Sequence, residues 1–244
     1  MKNIIKILSI SLLVNVNIAH AENTTADYKL TEQWTPIPVV VTPGKIPSDA
    51  LSLFNGEGLE AWRDEEGKTP KWLVENGTVT VVPKTGGMSS KQDFCDIQLH
   101  VEWRSPEKIE GKTQQELGNS GIYIQGRYEV QILDSFENQT YVNGQAASIY
   151  KQSPPLVNAM VPTGEWNSYD IIFKSPVFND DKSLNTPAYI TLLHNGILVQ
   201  NHFELKGATV FIGKPSYKAH GCAPIYLQDH NDKVSYRNIW VREL

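Results

Sequence analysis

The sequence predicts an all-β fold in which two antiparallel sheets stack as a jelly-roll sandwich. Three observations carry that expectation. Helical periodicity is nearly absent, and apolar residues instead recur at every second position. Gly, Pro, Asn and Asp punctuate these runs at short spacing. The runs number about a dozen, and a single sheet that wide tends to curl or split in two.

The individual elements follow in chain order. "ENGTVTVVP" places a turn at Asn76-Gly77 ahead of a short strand. In "DIQLHVEWR", Ile97, Leu99, Val101 and Trp103 share one face, while Asp96, Gln98, His100, Glu102 and Arg104 share the other. That alternation describes a strand with one face on a core and the other toward water or ligand. "NSGIYIQGRYEVQILDS" supplies two strands closely joined at Gly126, and "WNSYDIIFKSP" another. "AYITLLHNGILVQNHFEL" is the best hairpin, because Asn195-Gly196 suits the type I′ turn whose twist matches paired strands. "APIYLQDH" and "SYRNIWVREL" complete the set. Trp62, Trp72, Trp103 and Trp240 are expected in the core, since large aromatics dominate sandwich interiors.

The ends of the chain read differently. Lys2 and Lys6 precede an apolar stretch from Ile7 to Ile18, and Ala19-His20-Ala21 offers small residues at the two positions a signal peptidase reads. Residues 1–21 are therefore expected to be a secretory signal, too short and interrupted to span a bilayer. The protein is expected in the periplasm or outside the cell. Cleavage leaves 223 residues and takes the formal charge from −5 to −7. Residues 22–49, rich in Thr, Pro and Val, read as an extended leader, and residues 50–244 as the sandwich domain. An acidic chain with no basic tract has no electrostatic reason to bind nucleic acid. Cys95 and Cys222 are the only cysteines. Export permits a disulfide between them, but sequence does not fix their distance.

Several chemistries lack their motifs. There is no G-x-G-x-x-G after a strand, no H-E-x-x-H and no EF-hand loop, nor a G-x-S-x-G elbow. No metal site or cofactor is predicted, although calcium held by loop carbonyls needs no short motif.

What the strands do offer is polar groups at alternate positions. Glu129 and Gln131 share a face of "YEVQILDS", Tyr226, Gln228 and His230 a face of "IYLQDH", and Tyr123 and Gln125 lie in "IYIQ". Amides, a carboxylate, an imidazole and tyrosines suit a polyhydroxylated ligand. "E-V-Q-I-L-D" resembles in spacing the E-x-D-x-x-E strand of jelly-roll β-glucanases, but Gln131 replaces the central Asp and Asp134 the last Glu. Retaining glycosidases need two carboxyl groups about 5–5.5 Å apart, so a mechanism with a single base fits these residues better. His230, at a strand end, is the second acid–base candidate. Lys151 is a candidate for steadying an enolate, and Arg237 and Arg127 for orienting a hydroxyl or carboxylate. His220 could line a pocket, His194 reads as structural, and His100 and His202 carry no assigned task.

Together, "LFNGEGLEAW", "GNSGIYIQGRYEVQILDS", "GEWNSYDIIFKSP", "LLHNGILVQ" and "LQDHNDKVSYRNIWVREL" resemble the 3-keto-disaccharide hydrolase domain family. The resemblance runs from about Ala50 to Leu244. It implies a concanavalin A-like jelly roll in an exported protein. It also implies cleavage of glycosides already oxidised to a ketone at C3, by C2 proton abstraction, β-elimination and hydration. On that reading Glu129 and His230 share the acid and base roles and Lys151 faces the enolate. Asn119, Tyr123, Gln131 and Gln228 hold hydroxyls. A sugar 3-oxidoreductase in the same pathway supplies the substrate. One departure stands out: the chain has "QDHND" where the resemblance implies "QDHGN", so Asn231 occupies a turn position given to glycine. A carbohydrate-binding module of the same fold, without catalysis, and an ordinary glycosidase on unoxidised glycan are the alternative readings.

Overall fold

The computed structural model describes residues 30–107 and 111–244. The expected signal segment, residues 1–21, lies outside them. Among the described residues, fifteen strands follow one another. They are β1 (Leu51–Phe54), β2 (Trp62–Arg63), β3 (Leu73–Glu75), β4 (Thr78–Thr80), β5 (Met88–Phe94), β6 (Ile97–Arg104), β7 (Ser120–Ile124), β8 (Tyr128–Ile132), β9 (Asn167–Lys174), β10 (Val177–Phe178), β11 (Leu184–Thr186), β12 (Tyr189–His194), β13 (Ile197–Glu204), β14 (Ala223–Leu227) and β15 (Ser235–Glu243). Regular helix is confined to short 3₁₀ turns. No helix among the described residues is long and apolar enough to cross a membrane.

The strands form the expected pair of antiparallel sheets. The larger runs β13-β12-β9-β6-β15-β4-β3, with β1 paired to the C-terminal half of β15. The smaller runs β2-β5-β14-β7-β8, and β10 and β11 make a separate ribbon. Alternation explains why they stack. Ile97, Leu99, Val101 and Trp103 of β6 are fully buried, while the residues between them are half-buried. Tyr169, Ile171 and Phe173 of β9 do the same, as do Ile122, Ile124, Val130, Ile132, Ile225 and Leu227 of the smaller sheet. These faces make one core. Trp62, Trp72 and Trp103 belong to it; Trp240 is buried outside that cluster and stacks on His100.

The predicted tight turns form by the expected backbone route. Asn195 and Gly196 have φ of 53° and 76°, and Asn76 and Gly77 have 50° and 74°. Both central residues are left-handed, the geometry that Asn-Gly supplies at low cost. Gln125 is a correction to the expected polar face. It sits in the turn at φ 55°, and its amide donates to the Phe94 carbonyl and the Ser175 hydroxyl. It serves the fold rather than a ligand.

The compact unit that holds the sheets spans Val41–Leu244. Residues 30–40 contain no strand, and Leu30, Trp34, Ile37, Val39 and Val40 are exposed.

Cys95 and Cys222 are joined as a disulfide, which closes a sequence separation of 127. It ties the end of β5 to the start of β14, next to the Phe94–Ala223 pair. A cross-link over so long a loop removes much of the freedom of the unfolded chain. Replacing both cysteines with serine is expected to cost about 2–4 kcal/mol, seen as a lower urea midpoint. The wild-type protein should lose a similar amount on reduction, and the double-serine variant should not respond to reductant.

Candidate active site

The smaller sheet has one face on the core, and its other face carries the polar side chains. Strand register builds that second face in rows. Ser89 of β5, Tyr226 of β14, Tyr123 of β7 and Glu129 of β8 are consecutive cross-strand partners. The next row holds Gln228, whose backbone N–H donates to the Gly121 carbonyl, then Gly121, then its partner Gln131. Asn119 and His230 extend the pattern just beyond β7 and β14. The parity that puts Val130 and Ile132 in the core therefore lifts Glu129 and Gln131 into a shared cleft.

That cleft has a volume of about 200 Å³ and is lined by Asn119, Tyr123, Glu129, Gln131, Tyr150, Thr209, Phe211, Gln228 and His230. Loops roof the sheet face, so the cleft floor is buried although it lies outside the core. Residues 147–150 run along the free edge of β8, with Ala147 N donating to Gln131 O and Tyr150 N to Glu129 O. Thr209 closes the same edge: its hydroxyl accepts the Glu129 amide at 3.1 Å and its own amide donates to Arg127 O.

Glu129 is only 4% exposed. Burial disfavours its charged form and pushes its pKa up to about 7, against a smaller opposing pull from its hydrogen bond with Tyr123. Tyr123 is itself shifted upward by burial and by the facing carboxyl, so it stays a hydroxyl and a donor. The Gln228 amide donates to Tyr123 Oη at 3.3 Å. The Gln131 amide donates to Gln115 Oε1 and Gly144 O. Those bonds use the nitrogens. The Oε1 atoms of Gln131 and Gln228 are buried without a hydrogen-bond partner among the described residues. Buried acceptors left open are rare and call for an explanation. Two ligand hydroxyls would supply one.

Asn119 is fixed from behind. Its side chain donates to Gln115 O at 2.8 Å, and its backbone amide donates to Asp232 Oδ2 at 2.9 Å. Asp232, nearly fully buried, also accepts Lys112 Nζ at 2.6 Å. His230 is exposed at the rim. Its neighbour Asp229 anchors the strand end, accepting the amides of Thr85 and Gly86 through one oxygen and that of Asn231 through the other. Asn231 adopts φ 68°. It thus takes the left-handed turn that a glycine would take, as asparagine does more readily than other non-glycine residues.

The structure thus brings together Glu129, His230, Asn119, Tyr123, Gln131 and Gln228. It separates the others. Lys151 is not among the residues lining the cleft; its ammonium donates to the Phe211 carbonyl at 2.9 Å and packs on that ring. Arg237 belongs to β15 of the larger sheet, where its guanidinium pairs with Glu102 and lies 4.0 Å over the Trp166 ring. It is removed from the substrate-binding set. Arg127 donates to Gln125 O. His220 bonds Tyr128 and Gly221 O and does not line the cleft. His194 is buried against Asn167, and desolvation lowers its pKa to about 4. Asp134 accepts from Thr163 and from the Phe136 amide, and it is absent from the cleft lining. Glu129 is consequently the sole carboxyl among the described residues that line the cleft. Sequence reasoning missed Tyr150, Thr209 and Phe211, which reach the cleft from loops without periodicity.

The sequence model of the 3-keto-alpha-glucoside-1,2-lyase-like domain matches residues 49–242. The chain belongs to that family. A 3-keto-disaccharide hydrolase of Bacteroides thetaiotaomicron is 26% identical over 247 residues, covering 82% of this chain and 81% of its own. A Parabacteroides distasonis protein, named only as a candidate glycosyl hydrolase, has a crystal structure that is 48% identical, with a TM-score of 0.85 over 89% of this chain and 96% of its own. A second structure from that organism, 19% identical, has a TM-score of 0.58 over 79% of this chain and 92% of its own, a likeness of fold.

Proposed function

We propose that the chain cleaves 3-keto glycosides by elimination and rehydration. The observation that carries this reading is the one carboxyl that lines the cleft among the described residues, buried, raised to about 7 and surrounded by neutral hydrogen-bonding groups. Double displacement at an unoxidised sugar needs a second carboxyl close by. A C3 ketone changes the requirement, because it acidifies the C2 proton. A base whose pKa lies near the working pH is then the useful group. Membership of the family and the name of the Bacteroides thetaiotaomicron relative support the same substrate class.

In this scheme Glu129 takes the C2 proton. The electron pair forms the enolate, with its negative charge on the C3 oxygen. Collapse of the enolate breaks the C1–O bond, and the departing oxygen takes a proton from His230 at the rim. Water then adds across the enone, hydroxyl to C1 and proton to C2, so the net change is hydrolysis. Gln131 and Gln228 accept two sugar hydroxyls through their open carbonyl oxygens, and Asn119 and Tyr123 orient the ring. The substrate must come from a reaction that oxidises a sugar at C3, so an oxidoreductase acts upstream.

The test is to incubate the protein in deuterated buffer with a 3-keto glucoside and its unoxidised counterpart. Release of aglycone from the keto compound alone, with deuterium at C2 of the sugar product, is the expected outcome. Cleavage of the unoxidised glucoside at equal rate would point to an ordinary glycosidase. Binding of both without cleavage would point to a carbohydrate-binding module.

A further inference from the structure

Phe211 is two-thirds exposed (68%), yet it lines the cleft and is held in place. The base of its loop is closed by Ala208 N donating to Ser216 O, and Gly207 packs so tightly on Ser216 that a side chain has no room there. Thr209, two residues before Phe211, is bonded to the backbone of Glu129. At the tip, Lys151 Nζ donates to the Phe211 carbonyl and lies 4.0 Å from its ring centroid. The same ammonium is 5.6 Å from the Tyr141 ring and 5.8 Å from the Tyr150 ring, within cation–π range of all three. Tyr141 and Tyr150 share a hydroxyl–hydroxyl hydrogen bond of 2.7 Å. Lys151 is set for this task by its backbone, which is left-handed at φ 57° and donates to Asn143 O.

An apolar ring kept in water loses hydrophobic free energy, and fixing it with a cation adds an ordering cost. A ligand with an apolar face would recover both. The hydrogen-bonding groups of the cleft account for one sugar ring. Phe211 lines the same cleft as the Glu129 carboxyl, on the loop bonded to the Glu129 backbone. We infer that Phe211 is the platform for the leaving group, which therefore carries a six-membered ring with a flat apolar face, and that Lys151 is the residue that positions this platform. An aryl group and the C–H face of a second pyranose share that chemistry. The inference rests on the reading of the cleft as a glycoside site, but not on the 3-keto step.

The experiment is calorimetric titration with unoxidised methyl, phenyl and glucosyl α-glucosides. The wild-type chain is compared with Phe211→Ala, Lys151→Met and Lys151→Arg. The wild type is expected to bind a ring-bearing ligand about 3–10-fold more tightly than the methyl glucoside. Phe211→Ala should bring that ratio to within about 2-fold, since it removes the stacking partner. Lys151→Met should lower the ratio too, and Lys151→Arg, which keeps both cation and donor, should retain most of it. Preference in the phenyl arm alone identifies an aryl leaving group, and in the glucosyl arm a second sugar. A wild type without ring preference, or a preference that survives Phe211→Ala, overturns the inference. If 3-keto glycosides are still cleaved in that case, the proposed function stands without it. Failure to bind any of the three glucosides while 3-keto glycosides are cleaved overturns the inference alone, and failure both to bind them and to cleave 3-keto glycosides overturns the sugar-site reading beneath it as well.

Discussion

Replacing Glu129 with glutamine is expected to lower turnover of a 3-keto glycoside by about 10²–10⁴-fold, and to make the folded protein more stable above neutral pH. Both effects come from the same buried carboxyl. As a base it must be ionised, and burial has moved that ionisation up to about pH 7. The wild-type kcat/KM should therefore rise with pH on a limb centred near 7. The residual activity of the variant should lack that limb.

The stability sign follows from which state holds the proton. Between the ordinary carboxyl value and about 7, native Glu129 is protonated while the unfolded chain has released its proton. The native state binds more protons in that window, so stability falls as pH rises through it. The loss levels off above pH 7, at up to roughly 3 kcal/mol if the full shift is realised. Glutamine keeps the shape without the charge. The variant should match the wild type near pH 4 and exceed it near pH 8, where its urea midpoint is higher. A variant destabilised at both pH values would show that Glu129 is a structural anchor. Retention of full activity would remove Glu129 from the mechanism.

The same residue shows what was legible in the sequence. A strand has period two, so Val130 and Ile132 facing the core forces Glu129 and Gln131 to the opposite side. Strand parity is a local property, and it places Tyr123, Gln228 and His230 in the same way. It fails where a role depends on which distant segment folds over the sheet. Nothing near Lys151 in the chain shows that the loop carrying Phe211, sixty residues onward, will take its ammonium. Arg237 fails for a related reason. Parity puts it on a polar face, but only the strand order shows that β15 lies in the other sheet. Asn231 gives the opposite lesson. It stands where the sequence resemblance implies a glycine, and its backbone is left-handed at φ 68°, a conformation that asparagine adopts more readily than other non-glycine residues.

Gly121→Ala is expected to cost about 10²-fold in kcat/KM, on the reasoning that a misplaced reacting group loses about that much, while the fold stays intact. Gly121 sits in β7, in the second row between Gln228 and Gln131, and its φ is not positive. Its backbone therefore has no need of glycine, and alanine in a strand is conformationally the better residue. The need comes from the cleft. A Cβ at this position would meet Glu129 Oε1 at 2.7 Å and Tyr123 Cε2 at 3.0 Å. The carboxyl leans into the space that a side chain would fill. The methyl group cannot be accommodated by the Tyr123 ring, which is packed edge-on to Tyr226, so the carboxyl end has to move. The expected displacement of the carboxyl is toward the cleft mouth and water, away from the added methyl group. Its pKa should then drop back toward the ordinary carboxyl range, and the ascending limb of the pH–rate profile should shift below 7. A simple packing defect predicts something else, a lower melting temperature with an unmoved limb. Reduced activity with a shifted limb and an unchanged melting temperature would tie the glycine to the position of the base.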